Sequence, residues 1–249
     1  MPRFFVRKNQ ISDGVIEILG DDAHHISRSL RMAAGEHITV SDMQRTEYDC
    51  VLESFFEGRV LARVISSKQS ETEPAFYAHL YQALPKGEKL DYLIQKAVEC
   101  GVCEITTFDS ERCIAKEKED GGKKLERRRR IAAEAAKQSG RGILPTVNPT
   151  ISYKEMLKEA SQADIVLFCY EGEGTTPLKR LLKDKLESLG RRENINVAVI
   201  IGSEGGFSLK EAEQARECGM LFAGLGKRIL RTETASGFVL SCLVYEFEL

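Results

Sequence analysis

The hydrophobic pattern of this 249-residue chain changes near residue 70. Before that point the sequence consists of short, strand-like segments separated by turn residues. The segments "EHITVSD", "EYDCVLESF" and "GRVLARVISS" each predict a β-strand. One helix is expected among them, over "DDAHHISRSLRM", where Asp21 and Asp22 can cap the start. The polar stretch "SSKQSETEP", from Ser66 to Pro74, is the predicted linker.

Beyond the linker, strands and helices alternate. The predicted strands are "AFYAHLYQAL", "CEITTFDS", "ADIVLFCY", "INVAVIIG" and "MLFAGLG". The predicted helices are "GEKLDYLIQKAVECG", "GKKLERRRRIAAEAAKQSGRG", "TPLKRLLKDKLESLG", "SLKEAEQARECG" and "TASGFVLSCLVYEFEL". Alternation of this kind indicates an α/β fold with a parallel sheet covered on both faces. We therefore expect a small β-rich domain over residues 1–70 and an α/β domain over residues 71–249.

The sequences of three of these helices also predict which side chains are buried or how the helix begins. In "GEKLDYLIQKAVECG" the apolar residues fall on one face, namely Leu90, Leu93, Ile94, Ala97 and Val98. In "SLKEAEQARECG", Ser208 and Glu211 predict a capping box. The last helix is apolar nearly all round, through Phe238, Leu240, Leu243, Val244, Tyr245 and Phe247. Such a helix must be buried on more than one side, either inside the monomer or against a second copy.

Composition restricts the classes of function. A net charge of -2 means that any nucleic-acid site is a local patch. No run of about 18 apolar residues predicts a membrane span, and the N-terminus lacks the apolar core of a signal peptide. Seven cysteines without such a signal favour reduced thiols and a cytoplasmic protein. Cys100 and Cys103 form a C-x-x-C, but no second pair completes a zinc site, so we expect no metal.

Three glycine-containing loops follow predicted strands, where an open α/β sheet binds its ligands. They are "YEGEGTTP", "GSEGGFS" and "GLGKRILRTETA", and they carry Glu171, Glu173, Glu204 and Glu233. None of them completes a phosphate-binding motif. Carboxylates repel a pyrophosphate but suit hydroxyls, an amino group or a cation, so the loops favour S-adenosylmethionine over NAD or ATP. Alternatively, Glu204 stabilises the N-terminus of the next helix.

The motif pair "IIGSEGGFS" and "LGKRILRTETA" resembles the RsmE family of 16S ribosomal RNA uridine-N3 methyltransferases, in the SPOUT superfamily. The segments "MPRFF", "HHISRSLRMAAGE", "ALPKGEKLDYLIQKAVECGV" and "ERRRRIAAEAAKQSGR" agree, so the resemblance covers nearly the whole chain. One departure is Ser203, where the family usually has proline. The resemblance implies a PUA-like β-barrel RNA-binding domain, then a SPOUT domain with a C-terminal deep trefoil knot, and homodimers formed through the knot helices. The pattern of strands and helices alone predicts an unknotted, doubly wound sheet.

The resemblance also implies a cofactor pocket. With Glu171 from the acid-bearing loops, the expected lining residues are Ile201, Gly202, Glu204, Gly205, Leu225, Gly226, Leu230, Arg231 and Thr232. The implied reaction methylates N3 of a uridine, position 1498 in the family's name, which must be unpaired because N3 lies on the Watson–Crick edge. Arg231 is the first candidate to stabilise the N3 anion, with Glu233 and Glu204 as orienting groups or proton acceptors. Arg231 could instead form a salt bridge with Glu233.

Contacts to the RNA, as naked 16S rRNA or the small ribosomal subunit, are expected from cationic side chains. The candidates are Arg3, Arg7, His24, Arg28 and Arg31 in the first domain, and Lys86, Lys89 and Arg141 in the second. A non-catalytic RNA-binding or ribosome-assembly factor of the same fold is the alternative function. An NAD-linked oxidoreductase would require a complete G-x-G-x-x-G near the first strand, which the sequence lacks.

Overall fold

Two separate β-sheets organise the chain, whose computed structural model describes residues 1–116, 122–190 and 195–249. Each sheet belongs to one of two units. The first unit comprises Met1–Glu73 and Ala136–Leu144, so it is discontinuous in sequence. The second unit comprises Pro74–Ala135 and Pro145–Leu249.

The first unit contains a six-stranded sheet in the order β1-β4-β5-β6-β3-β2. Its strands are β1 (Arg3–Phe5), β2 (Ile11–Ser12), β3 (Val15–Leu19), β4 (His37–Ser41), β5 (Thr46–Phe56) and β6 (Arg59–Gln69), and a short helix, α1 (Gly20–His24), continues as a π-helical turn over His25–Ser29. Only β1 and β4 pair in parallel. Alternate residues of the strands fill the core, among them Phe4, Ile16, Ile38 and Leu52. The predictions of β4, β5 and β6 are confirmed.

The polar segment predicted as a linker begins as a strand, so that prediction is wrong for Ser66–Gln69. These residues pair with Thr46–Asp49 of β5. Pairing between strands uses backbone hydrogen bonds and does not require apolar side chains. The side chains of these residues are exposed to solvent at the end of β6, so they can be polar. Polar composition alone therefore gave no sign of the pairing.

A buried ion pair joins the two sequence segments of the first unit. The guanidinium of Arg141, 3% exposed, contacts the Glu73 carboxylate at 2.7 Å. The same carboxylate accepts hydrogen bonds from the backbone amides of Gly142 and Ile143 at 2.7 and 3.0 Å. Because Arg141 is enclosed in this way, it has no free face for an RNA phosphate, and the structure corrects that prediction.

Arg3 is similarly engaged within the first unit. Its Nη1 donates to Glu47 Oε1 at 2.8 Å, and Ser70 Oγ donates to the same oxygen at 2.8 Å. Burial alone would raise the pKa of Glu47, but the hydrogen bonds from Arg3 and Ser70 outweigh it and hold that pKa below its ordinary value. Arg3 therefore stabilises the unit, which corrects its assignment to phosphate binding.

The second unit contains a seven-stranded parallel sheet in the order β11-β13-β10-β12-β7-β8-β9. Its strands are β7 (Phe76–Ala83), β8 (Glu104–Asp109), β9 (Thr146–Ser152), β10 (Ile165–Cys169), β11 (Thr176–Pro177), β12 (Ile195–Ile201) and β13 (Leu221–Gly224). Its helices are α2 (Lys89–Glu99), α3 (Gly122–Ser139, the last four residues of which are grouped with the first unit), α4 (Tyr153–Ala160), α5 (Leu178–Leu189), α6 (Leu209–Glu217) and α7 (Thr232–Glu248). The central strands are buried on both faces, as their continuous aliphatic runs require.

Two of the detailed helix predictions are confirmed. All five residues on the predicted face of α2 are buried. In α6 the capping box is present, because the Glu211 amide donates to Ser208 Oγ at 3.2 Å and the Ser208 amide donates to Glu211 Oε2 at 2.9 Å. The elements β9, α4 and β11 were not predicted. No helix within the described ranges is both long enough and apolar enough to cross a membrane.

The last helix, α7, is buried on one side within this chain. Leu240 and Leu243 are fully buried, and Phe247 packs on Phe76 with ring centroids 5.0 Å apart. Phe238 and Tyr245 are 41% and 70% exposed. They are seven residues apart and so lie on one stripe of the helix. The second buried side expected of α7 is therefore not supplied by the monomer.

Candidate active site

The carboxyl ends of β10, β12 and β13 surround a cavity of about 450 Å³ in the second unit. The loops that follow these strands line it, together with the start of α7. Nine predicted pocket residues lie on its wall, namely Glu171, Ile201, Gly202, Glu204, Leu225, Gly226, Leu230, Arg231 and Thr232. The structure thus brings together residues from three loops separated by up to about sixty positions, because parallel strands end at one edge of a sheet.

Two predicted site residues lie elsewhere. Gly205 is covered by Arg112, whose Nη1 donates to its carbonyl at 3.0 Å, and a Cβ at position 205 would stand 3.0 Å from the Arg112 Cβ. Glu233 lies in the first turn of α7 and is not among the cavity-lining residues. Its Oε2 is buried and has no hydrogen-bond partner among the described residues.

The turn after β12 is tight. The Gly206 amide donates to the Ser203 carbonyl at 3.0 Å, and Gly206 has a φ of 63°, which favours glycine. A Cβ on Gly202 would stand 3.1 Å from the Phe207 ring, so a side chain there would crowd the turn. Ser203, where the resemblance leads us to expect proline, is buried, and its hydroxyl lies 3.5 Å from the Arg112 carbonyl. Serine therefore adds a weak hydrogen bond that proline could not form.

Glu204 is held by the segment between β7 and α2. Lys89 Nζ lies 2.6 Å from Glu204 Oε1, and the Lys86 amide donates to the same oxygen at 3.1 Å. Burial alone would raise the pKa of Glu204, but the Lys89 hydrogen bond and the backbone amides lower it below its ordinary value. Glu204 is thus an ionised anchor for its turn, and Lys89, expected to contact RNA, is its partner.

A buried amide that the sequence analysis missed joins two walls of the cavity. Gln82, at the end of β7, is fully buried, and its Nε2 donates to Thr232 Oγ1 at 2.8 Å. The Thr232 hydroxyl donates to the Gly202 carbonyl at 2.6 Å. Gln82 Oε1 has no partner within the described part of the chain. A glutamine inside the buried strand "AFYAHLYQAL" was the available signal, since a buried amide needs partners.

The loop after β10 is packed against β13. A Cβ on Gly172 would stand 2.3 Å from the Tyr170 ring, so a side chain there would displace that ring. Arg216 lies over the Phe222 ring, 4.5 Å from its centroid, and donates to the Glu173 carbonyl at 3.2 Å. This packing fixes the wall that carries Glu171, while Glu173 itself does not line the cavity.

The charges on the wall differ from expectation. The cavity is lined by two carboxylates, Glu171 and Glu204, and by four cations, namely Lys89, Lys227, Arg228 and Arg231. The carboxylates from which a cofactor without phosphates was expected are therefore accompanied by a larger number of cations. Lys227 and Arg228 lie in the segment "LGKRILR", whose pattern alone predicted no role for them.

Cysteine chemistry does not account for the site. Cys169 lines the cavity, and burial raises the pKa of its thiol to about 12, so it stays protonated near neutral pH. All seven cysteines are free thiols. Among the described residues, no group of three or more His, Cys, Asp or Glu side chains is arranged to hold a metal ion.

Four of the cationic residues predicted to contact RNA form an exposed set in the first unit. Arg7 follows β1, His24 ends α1, Arg28 lies in the π-helical turn, and Arg31 follows it. Arg31 adopts a φ of 53°, which is uncommon for a residue other than glycine. In the second unit, the side chain of Lys86 is exposed beside the Lys89–Glu204 pair.

Comparison with known proteins gives consistent results. Residues 72–244 match the family model of an RNA methyltransferase domain. The chain is 32% identical to ribosomal RNA small subunit methyltransferase E of Bacillus subtilis, over 100% of this chain and 98% of that protein. It also resembles the crystal structure of the Neisseria gonorrhoeae methyltransferase E bound to S-adenosyl methionine, with a TM-score of 0.84, 28% identity and coverage of 99% and 98%. A methyltransferase from Legionella pneumophila, solved with bound SAM, gives a TM-score of 0.83 at 28% identity, covering 98% of this chain and 97% of that one.

Proposed function

Because the chain belongs to the ribosomal RNA small subunit methyltransferase E family, we propose that it methylates N3 of a uridine in 16S ribosomal RNA with S-adenosylmethionine. The observation that carries the proposal is the cavity in which the ends of β10, β12 and β13 meet the start of α7. Its volume of about 450 Å³ lies within the range of small-molecule sites.

The residues on the wall fit this cofactor. Gly202, Leu225 and Gly226 present backbone groups that can read an adenine edge, and Ile201 and Leu230 add apolar surface. Glu171 is the carboxylate not engaged by a lysine, and it can accept from hydroxyls or face a cationic centre. S-adenosylmethionine supplies an electrophilic methyl group. Gly205, covered by Arg112, supports the turn from behind.

The uridine must be presented with its N3 proton removed. A paired base hides N3, so the substrate base is splayed out of its helix. Arg231 is exposed at the cavity, and no ion pair joins it to Glu233 within the described residues, so its cation is available to stabilise the N3 anion. Glu233 does not line the cavity, and its Oε2 is buried without a hydrogen-bond partner among the described residues, so we propose it as an orienting group in the first turn of α7 and not as a group in contact with N3. Glu204 is a poor proton acceptor, because Lys89 stabilises its ionised form.

We propose that the C-terminal part of the second unit forms the trefoil knot of SPOUT proteins. The chain path supports this. Strand β13 pairs with β10 on the side away from β12, yet Thr232, at the start of α7, is hydrogen-bonded to Gly202 at the end of β12. The segment 225–231 must therefore cross the end of β10. Gly224 lies close beneath Thr175, since a Cβ there would stand 3.0 Å from the Thr175 hydroxyl.

The first unit is proposed to be a PUA-like domain that binds RNA through Arg7, His24, Arg28 and Arg31. Their exposure supports this role, since cations bind phosphates without base specificity. The proposed partner is 16S rRNA, as naked RNA or in the small ribosomal subunit, which places the protein in the cytoplasm.

We propose a homodimer formed through α7. The exposed stripe of Phe238 and Tyr245 supports it, because a second copy would cover this apolar surface. Tyr92, on the helix α2 that packs beside α7, is 54% exposed and extends the surface. Analytical ultracentrifugation should give a dimer, and Tyr245→Asp should shift it toward the monomer.

Two experiments test the reaction. Titration calorimetry with S-adenosylmethionine separates an enzyme from a non-catalytic RNA-binding or ribosome-assembly factor, since the latter should give no binding heat. Mass mapping of 16S rRNA from a strain lacking the protein should show loss of one N3-methyluridine. If that nucleoside persists, the proposed substrate is wrong.

A further inference from the structure

An apolar side chain protrudes at the mouth of the cavity. Ile229 is 83% exposed although it lines the cavity. Single exposed apolar residues are common on protein surfaces. Ile229 differs because it lies within a cationic segment that forms one wall of a ligand site.

The cations of this segment have no internal partners. Lys227, Arg228 and Arg231 are exposed, and none of them forms an ion pair or side-chain hydrogen bond with another described residue. Lys89, on another wall of the same cavity, is by contrast paired with Glu204. Three cations on one loop, without partners among the described residues, form a local positively charged surface that can bind anions, on a chain of net charge -2.

We infer that residues 227–229 grip the RNA strand around the target uridine and that Ile229 is a wedge. Lys227 and Arg228 bind phosphates next to the extruded nucleotide, and Ile229 enters the gap that the base leaves in the stack. This inference rests on the proposed function, because it requires a base drawn out toward the cavity.

The physical reason lies in the cost of extruding a base. Unstacking costs a few kcal/mol per step, and apolar wedges such as isoleucine offset part of that cost by packing on the exposed base faces. The wedge is needed only where the uridine starts in a stack. A short oligonucleotide without structure has no stack to open, so it gains less from Ile229.

The test compares kcat/KM on two substrates, a folded 16S rRNA fragment and an unstructured oligonucleotide with the same local sequence. For Ile229→Ala, the ratio of folded to unstructured kcat/KM should fall about tenfold relative to the wild type, which corresponds to roughly 1.4 kcal/mol of unstacking. Leu209→Ala is the matched control, since Leu209 is 73% exposed and does not line the cavity, and its ratio should stay unchanged.

A second measurement isolates the phosphate contacts. For Lys227→Ala with Arg228→Ala, the slope of log Kd against log salt for the oligonucleotide should decrease in magnitude by about 1.4, because each single-strand phosphate contact contributes about 0.7. Lys210→Ala, next to the Leu209 control, should leave the slope unchanged.

The outcomes separate the two proposals. If the wild type methylates neither RNA, the proposed function fails. If the wild type methylates both RNAs, two results refute the wedge: Ile229→Ala lowers kcat/KM equally for both substrates, or it lowers kcat/KM for neither. If Ile229→Ala instead changes the sedimentation coefficient, Ile229 belongs to a contact between copies of the chain, and the wedge is also refuted.

Discussion

Gln82 and Thr232, 150 positions apart, are joined by a hydrogen bond of 2.8 Å between Nε2 and Oγ1. The bond ties the end of β7 to the first turn of α7. Because the Thr232 hydroxyl donates in turn to Gly202, the amide also fixes the carbonyl at the end of β12. One buried side chain thus sets the spacing of two walls of the proposed cofactor site, which makes it a positioning residue.

Replacing this amide should loosen the site more than it destabilises the fold. We expect Gln82→Met to weaken S-adenosylmethionine binding about fivefold, since loss of one buried neutral hydrogen bond costs about 1 kcal/mol and the walls then move independently. Calorimetry gives the affinity and steady-state kinetics gives KM, which should rise more than kcat falls.

Thr107→Val is the matched control for Gln82→Met. Thr107 is equally buried, and its hydroxyl lies 2.6 Å from Thr150 Oγ1, away from the cavity. Loss of the Thr107 hydroxyl should lower the free energy of unfolding in urea about as much as Gln82→Met does, without changing the affinity for the cofactor. Equal weakening of the cofactor by both variants would show that Gln82 acts through general stability.

Loss of the Arg231 cation should stop turnover. We expect Arg231→Ala to lower kcat by roughly 100-fold or more, the usual cost of removing a donor that stabilises developing negative charge. The side chain is exposed, so the midpoint of thermal unfolding should hardly move. Single-turnover methylation of 16S rRNA measures the effect. Near-wild-type activity in this variant would remove Arg231 from the mechanism.

The Arg141–Glu73 pair should matter for folding and not for RNA binding. Arg141→Met leaves the Glu73 carboxylate buried without its guanidinium, and loss of one partner of a buried pair costs about 3–5 kcal/mol. Urea unfolding measures the loss. Arg28→Met, an exposed counterpart in the same unit, should change stability by less than about 0.5 kcal/mol and weaken RNA binding instead. Similar free energies of unfolding for the two variants would contradict the conclusion that Arg141 stabilises the fold and does not bind RNA.

His79 should make the free energy of unfolding depend on pH in the mildly acidic range. Its ring stacks on Tyr81, 3.9 Å between centroids, Nε2 lies 2.7 Å from Thr106 Oγ1, and Nδ1 lies 3.5 Å from Glu104 Oε2. Burial lowers the pKa of His79 from 6.5 to about 4, although the Glu104 carboxylate opposes the shift. Between these values the unfolded chain binds the proton and the folded chain does not, so stability falls as pH falls.

From pH 7 to pH 5 the wild type should lose about 2 kcal/mol of unfolding free energy through this group. His79→Gln should remove most of that dependence in urea unfolding at the two pH values. His37→Gln is the control, because His37 is half exposed and carries no such burial. The interpretation is wrong if His79→Gln and the wild type respond to pH alike.

Much of the second unit follows from sequence because its signals are local. The apolar face of α2 and the Ser208–Glu211 capping box depend on residues three or four apart, and both are confirmed. Strand β12 needs only a continuous aliphatic run. Strand β9, "TVNPTIS", lies at the sheet edge with a proline and few apolar residues, so its pairing with β8 left no comparable pattern.

The details of the site depend on contacts that sequence spacing does not encode. The acidic loops predicted the edge of the sheet at which the cavity lies, but the charge of Glu204 is countered by Lys89, 115 positions away. The bonds of Gln82 likewise span 120 and 150 positions. Such pairings are set by the order of strands in the sheet, which local pattern does not determine.

The discontinuity of the first unit has a consequence for biosynthesis. Glu73 leaves the ribosome well before Arg141, and the chain of β7, α2 and β8 is made in between. During that interval the Glu73 carboxylate has no guanidinium and must stay hydrated, so the N-terminal sheet cannot reach its final packing. Completion of the first-made part of this protein therefore waits until about residue 144 has emerged, and translation order and folding order do not coincide.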